Sequence, residues 1–235
     1  MPTDHLVIRP AGPEDLPAVA AVHLAARQAA VPAMPPLVRA PEEVRGFLER
    51  LDLRQRALWV AEAGEVVGYA QLEGDWLEDL YVHPGAQGRA VGSALLDLVK
   101  SQRPDGFCLW VFASNEAARR FYRRHGLVEL ETTDGSGNEE RAPDVRMAWP
   151  GRDPLGFLRG LIDDVDDQLG DLLARRLALT RAVQAHKAGR GRDLRREREI
   201  AARVAQRAPE LGEERVALIL DAIITASLEA AGRDD

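Results

Sequence analysis

The sequence predicts an α+β domain followed by an all-helical domain, and three observations carry that reading. Short β-type runs alternate with helical stretches up to about residue 150. All four tryptophans and all three tyrosines fall in that portion. After Phe157 there is no further Phe, Trp or Tyr, and only helix-type periodicity remains. The change of texture puts a boundary near Gly151–Pro154, giving domains over 1–150 and 155–235. A chain of 235 residues, 46% hydrophobic and 29% charged, can bury a core in each.

In chain order, "HLVIRP", "ALWVAEAGEVVGYAQLE", "EDLYV", "FCLWVFA" and "VRMAWP" read as strands. "DLPAVAAVHLAARQA" and "GSALLDLVKSQ" read as helices between them. "TTDGSGNEERAPD" is expected to be a mobile loop joining two strands. In the second domain, apolar residues from Leu158 to Val183 predict one amphipathic helix of about 30 residues. Asp193 is placed to cap a second helix, "LRREREIAARVAQRA", and "EERVALILDAIITASLEAA" is the third.

Charge narrows the classes of function. Residues 151–235 hold 15 Arg or Lys against 16 Asp or Glu, whereas residues 1–150 hold 16 against 22. A net charge of −7 and a second domain without aromatics argue against a nucleic-acid partner. Cys108 is the only cysteine, which suits a reducing compartment. No apolar signal core opens the chain, and no window holds the roughly 20 apolar residues of a membrane span. A cytoplasmic protein without a membrane partner is expected.

In "LEDLYVHPGAQGRAVGSALLDLVK" a strand ends near Val82–His83, a glycine-bearing turn follows, and a helix starts near Val91. Unpaired N–H groups at such a turn, aided by the helix dipole, make an anion site that Gly88 and Gly92 leave open. In "CLWVFASNEAARRFYRRHGLVELE" a second strand ends near Ala113, Asn115 is a plausible helix cap, and Tyr122 lies seven residues on. The two segments, in this order, resemble the GNAT N-acetyltransferases over residues 1–150. The family loop Gln/Arg-x-x-Gly-x-Gly/Ala appears as Gln87, Gly88, Arg89, Ala90, Val91 and Gly92, with Ala90 replacing the first glycine. The later pattern appears as Asn115, Ala118, Tyr122, Gly126 and Leu127. The resemblance implies that acetyl-CoA binds at Leu80, Val82, the 87–92 turn and Asn115, with Tyr122 as the general acid. Glu78, or its neighbour Asp79, is the expected base, and His83 is an alternative. The acceptor amine is not legible.

The stretch Arg176–Glu199 holds seven arginines and Lys187, one of only two lysines in the chain. Arg176 and Lys187 differ by about 20° around a helix and are roughly 16 Å apart, so they share a face. Arg159 lies about 25 Å from Arg176 and about 100° round, so it reaches such a pocket only from an antiparallel second copy. Residues 155–235 resemble the all-helical chorismate mutases through Leu158-Arg159, Ile162-Asp163, Asp166, Arg176, Lys187, Asp193, Arg196-Glu197 and Ser227. The resemblance implies an intertwined homodimer in which Arg176 and the partner copy's Arg159 clamp the two carboxylates of chorismate. Lys187 would meet the ether oxygen, with Arg196, Glu197, Asp193 and Ser227 on the ring side. The rearrangement to prephenate needs no cofactor, metal or nucleophile. Arg181, Arg190, Arg192, Arg195 and Arg198 are expected to be solvent charges. Where the family carries Gln or Glu one turn after the serine, this chain has Ala231. That departure keeps two alternatives open: a dimerising or ligand-sensing module, and an isochorismate–pyruvate lyase on the same scaffold.

Overall fold

A computed structural model describes residues 5–186 and 192–232. The chain divides into two compact units between Leu158 and Arg159. The division comes later than Gly151–Pro154 because Phe157 packs back onto the first unit. A Cβ placed on Gly106 would come within 2.4 Å of the Phe157 ring.

The first unit is a seven-stranded mixed sheet. Its strands are β1 (Val7–Pro10), β2 (Ala57–Ala63), β3 (Glu65–Glu73), β4 (Trp76–Val82), β5 (Phe107–Phe112), β6 (Val128–Thr132) and β7 (Asp144–Trp149), in the spatial order β1-β2-β3-β4-β5-β7-β6. Every neighbouring pair is antiparallel except β4–β5. Helices α1 (Leu16–Ala29), α2 (Pro41–Leu48), α3 (Val91–Gln102) and α4 (Glu116–Arg124) complete the unit. Alternation along the strands feeds two cores, one on each sheet face. Leu95, Leu96 and Val99 of α3 pack with Leu72, Phe107, Leu109 and Met147. Leu16, Val19 and Val22 of α1 pack with Leu58, Val60 and Tyr69. Each such fully buried Leu or Val contributes about 1.5–3 kcal/mol.

The loop between β6 and β7, expected to be mobile, is tied down. Thr133 Oγ1 donates to Asp144, and Asn138 Nδ2 donates to Ala142 O at 2.7 Å and to Asp144 Oδ2 at 3.0 Å. Glu140 and Glu139 then pair with Arg27 and Arg39. Polar loop residues here close on one another and on α1, which composition alone does not reveal. Helix α2 is likewise absent from the sequence reading, although Pro41 and the Glu43 carboxylate, accepting from Ala40 N, are helix-start signals.

The three helices expected follow: α5 (Pro154–His186), which enters the second unit at Arg159, then α6 (Leu194–Ala205) and α7 (Glu213–Ala231). Among the described residues the second unit's buried side chains are few: Ala201, Val216, Ile224 and Ser227. None lies on α5. Leu155, Ile162, Val165, Leu169, Leu172, Leu179 and Val183 are all exposed, Ile162 by 59% and Leu179 by 61%. With Leu158 and Arg176 they follow an alternating three–four spacing, the pattern of a helix seam that packs against another helix. No described helix is long and apolar enough to cross a membrane.

Candidate functional site

The first site forms where the sheet comes apart. β4 and β5 are in register only at Trp76–Cys108, and beyond that pair the two parallel strands diverge. A cavity of about 650 Å³ fills the gap, lined by Leu80 and Tyr81 of β4, Val111 and Phe112 of β5, and Asn115 and Tyr122. His83 N–H donates to Val67 O at 2.8 Å, and the β3–β4 register continues from there. Antiparallel pairs alternate between bonded and non-bonded, so Tyr81 and Asp79 turn their backbone groups to β3. Leu80 and Val82 therefore turn theirs toward the gap, where β5 no longer meets them. Gln87 Nε2 donates to Val82 O from that side at 3.3 Å.

The turn leading to α3 completes the rim. Gly88 and Ala90 both have left-handed backbone, at φ 76° and 62°. Glycine adopts this region freely, whereas alanine does so against its Cβ. The turn leaves the first N–H groups of α3 without helical partners, as at any helix start. Arg89 is exposed beside them and has no ion pair among the described residues. Val91 is buried, and a Cβ placed on Gly92 would lie 3.5 Å from the Phe121 ring. A free donor set of this kind fits an anionic phosphate chain. His83, weighed as a base, has a turn role: its Nδ1 accepts from Gly85 N at 3.2 Å.

Asn115 caps α4 by accepting from Ala118 N at 3.1 Å. That cap aims the helix so that Tyr122 lines the cavity, 8% exposed. Burial pushes the Tyr122 phenol well above its ordinary range, with Tyr81 and Asp79 adding to the effect. It therefore holds its proton at neutral pH. Glu78 and Asp79, which sequence leaves as alternatives, are separated by a β-bulge. Gln71 faces Asp79 and Leu72 faces Leu77, so Glu78 is the extra residue and is exposed. Asp79 is half-buried, and burial together with the Glu78 charge raises it to about 6, against the lowering effects of Tyr69, Arg56 and Arg27. Burial and the Glu73 charge raise Glu78 as well, and Glu78 lines the cavity beside Tyr122, so both carboxylates stay candidates for the base.

Behind Asp79 stands a polar chain that sequence reasoning missed. His23 Nδ1 lies 2.7 Å from the Tyr69 hydroxyl, which is near enough to Asp79 to favour its charged form. The Tyr81 ring lies 4.6 Å from His23 and 5.8 Å from Tyr69, centroid to centroid. Burial lowers His23 to about 4, so it is neutral.

In the second unit, Arg176 and Ser227 are 51 residues apart and meet: Arg176 Nη1 donates to Ser227 Oγ at 2.6 Å. Ser227 is buried and donates on to Ile223 O, also at 2.6 Å. Asp193 caps α6 by accepting from Arg196 N at 3.0 Å. Arg159 and the Arg196 side chain are exposed and make no ion pair among the described residues. Lys187 lies outside the described residues. Arg192 is not the free solvent charge expected. Its guanidinium bonds both Glu197 oxygens, Asp221 and Thr225 Oγ1, joining the start of α6 to α7. Glu197 is thus held by a neighbour five residues away. Arg195 and Arg198 are helix-surface groups, paired with Glu199 and with Leu194 O. Ala231 closes α7 with no polar side chain one turn beyond Ser227.

A splayed mixed sheet carrying an anion turn, followed by a trio of helices, defines a chain of two classes joined end to end. Comparison with known proteins names both. Residues 54–129 match the acetyltransferase (GNAT) domain, and residues 158–231 match chorismate mutase type II. The chain carries a GNAT acetyltransferase domain followed by a type II chorismate mutase domain. It is 36% identical over 70 residues to the mycothiol acetyltransferase of Amycolatopsis mediterranei (strain U-32), covering 27% of this chain and 23% of that one. It is 32% identical over 96 residues to the peptidyl-lysine N-acetyltransferase YiaC of Escherichia coli (strain K12), covering 39% of this chain and 62% of that one. It thus spans less than two thirds of either relative. Among solved structures, the apo form of YjaB from Escherichia coli shares the fold, with a TM-score of 0.52 at 23% identity over 63% of this chain and 99% of that one. An acetyltransferase from Thermus thermophilus shares it at a TM-score of 0.50 and 20% identity, over 64% and 99%.

Proposed function

We propose that the chain is a bifunctional enzyme: an acetyl-CoA-dependent N-acetyltransferase joined to a chorismate mutase. The observation that carries the first activity is the divergence of β4 from β5. It gathers Leu80, Glu78 and Tyr122 around one cavity, with Asp79 and Val82 beside them on β4. Bound acetyl-CoA would supply an activated acetyl thioester, with its phosphates at the 87–92 turn. Asp79 takes the proton that an acceptor ammonium must lose before it becomes a nucleophile. The Leu80 and Val82 N–H groups stand ready as donors for developing oxyanion charge. Tyr122 holds the proton that a departing thiolate needs. Free-thiol release from acetyl-CoA across a panel of amines tests this half; no release with any amine refutes it.

The second activity rests on the Arg176–Ser227 contact, which brings two sequence-distant members of the expected set together. A guanidinium fork matches a carboxylate bidentately, and chorismate is a dianion. The uncovered α5 seam supports an intertwined homodimer, with Arg159 arriving from the partner copy. Loss of chorismate absorbance with prephenate formation, abolished by Lys187→Ala, supports mutase activity. Ala231 favours a second reading, because it removes a polar group from the reacting side. Ligand-dependent thermal stabilisation without turnover would identify a sensing or dimerising module. Pyruvate release from isochorismate would identify a lyase.

A further inference from the structure

Arg192 stands outside the residue set expected of the mutase site, yet it holds one member of that set. Its Nε donates to Glu197 Oε1 at 3.0 Å and to Oε2 at 3.2 Å, and its Nη2 donates to Oε2 at 2.6 Å. The same guanidinium reaches α7, where Nη2 meets Asp221 Oδ1 at 2.5 Å and Nη1 meets Thr225 Oγ1 at 3.2 Å. Asp221 and Thr225 are about one helical turn apart. One planar fork therefore grips a turn of α7 with one edge and a carboxylate of α6 with the other. A lysine ammonium is a point charge and could not serve all three partners at once.

Local structure explains the reach. Arg192 precedes Asp193, the cap of α6, and Glu197 lies on the first turn of that helix. The cap fixes the direction in which the chain leaves the helix, so the Arg192 side chain can run back across that turn. Around α7, Ser227 lies about 120° from Asp221 and about 160° from Thr225. Arg192 thus grips a different face of α7 from the one that Arg176 touches. Ile224 lies between the two faces, and it lines a cavity of about 860 Å³ together with Glu197 and Asp221.

The donors and acceptors divide unevenly. Little of the Arg192 donor capacity is left for a substrate, because its N–H groups are spent on the chain itself. Glu197 keeps lone pairs free, since a carboxylate offers about four acceptor positions. Glu197 is half-buried at the cavity wall, where a ligand can reach it. Glu197 Oε2 and Asp221 Oδ1 also share one nitrogen of Arg192. Without that cation two like charges would occupy one place and push apart.

We propose that Arg192 is a positioning residue of the mutase site: it aims the Glu197 carboxylate from an anchor on Asp221 and Thr225, and it acts on the substrate only through Glu197. The proposal rests on the mutase reading, in which Glu197 meets the ring side of chorismate. Holding Glu197 in advance removes the cost of ordering it when the ligand arrives. A misplacement of about 1 Å in such a group can cost on the order of a hundredfold in rate.

A double-mutant cycle on the full chain tests this, read as kcat/KM for chorismate. Arg192→Ala should lower kcat/KM about ten- to hundredfold, and Arg192→Lys should recover part of the loss. In a chain that already carries Glu197→Ala, adding Arg192→Ala should cost less than about twofold more. A residue that met the substrate itself, or that only braced α6 against α7, would still cost its full amount there. Losses that multiply therefore overturn the proposal, and so does an Arg192→Ala chain with unchanged turnover. Calorimetry with prephenate repeats the cycle without turnover, because prephenate carries both carboxylates and a ring hydroxyl and rearranges no further. Affinity losses that merge in the double variant support the proposal even in a slow enzyme. A wild-type chain that neither turns over chorismate nor binds prephenate would sink the mutase reading and this role together. Turnover with multiplied losses would sink the role of Arg192 alone.

Discussion

The two units treat their surfaces in opposite ways. In the first, helices on both faces of a sheet bury Tyr69 and Gln71 and nearly bury Tyr122, so candidate site groups meet inside one fold. In the second, a 33-residue helix has no buried residue, and Arg176 reaches Ser227 from within a row of exposed leucines, isoleucines and valines. A site enclosed in one fold can be probed one side chain at a time. A site on an uncovered seam depends equally on what covers the seam.

The largest expected effect sharpens that difference. Asp79→Asn keeps size and removes the proton acceptor, so acetyl transfer should fall about 10²- to 10⁴-fold with chorismate turnover unchanged. Arg176→Ala should cut chorismate turnover by some hundreds-fold and leave thiol release alone. Mixing Arg159→Ala and Lys187→Ala chains should restore part of the mutase activity, because one mixed dimer site is intact. No rescue, with subunit exchange confirmed, would place both groups in one copy. Leu172→Glu puts a charge in the seam, and sedimentation velocity should show monomers that have lost mutase activity but still release thiol. A variant that remains dimeric would remove the seam from the interface.

A smaller effect comes from the His23–Tyr69–Asp79 chain. Asp79 sits at about 6, above its ordinary 3.8, so the folded state binds the extra proton between those values. Its contribution to stability is full below about pH 4 and is lost as pH rises through 6. His23 sits at about 4, below its ordinary 6.5, so there the unfolded state binds the extra proton. Its contribution is full above about 6.5 and is lost as pH falls through 4. The two slopes oppose each other across the same window. His23→Leu removes one of them, and stability should then decline from pH 4 to 6.5 by an amount on the order of 1–3 kcal/mol. Urea unfolding at the two pH values reads the difference, and a flat profile would mean that Asp79 keeps an ordinary acidity. Smallest of all, Ala90→Gly should stabilise by about 1 kcal/mol, raising Tm by about 2–4 °C, because glycine adopts φ 62° without strain.

Local chemistry was legible in the sequence where a residue acts on its near neighbours. The caps at Asn115 and Asp193 are where side-chain spacing puts them, and the strand–turn–helix around Gly88 is recognisable from its glycines. That Arg176 and Ser227 belong to one site came only through a resemblance, and their direct contact was not foreseen, since periodicity on one helix says nothing about another. What stayed hidden depends on register. His23 and Tyr69 are 46 residues apart, and nothing in "AVHLAAR" or "GYAQLE" announces that they meet. A single bulge sets Glu78 and Asp79 apart, leaving the first exposed and the second half-buried. Arg192 looked like one more cation in a run, until Asp221, 29 residues on, proved to be its partner.

The parting of β4 from β5 has one further consequence. Leu80 and Val82 belong to a central strand of seven, yet their amides face an opening and not a neighbour. They should trade hydrogen for deuterium like the outermost strand of a sheet, while Tyr81 between them stays slow. Slowing of those two amides when a ligand is added would be a built-in gauge of occupancy, readable without any turnover.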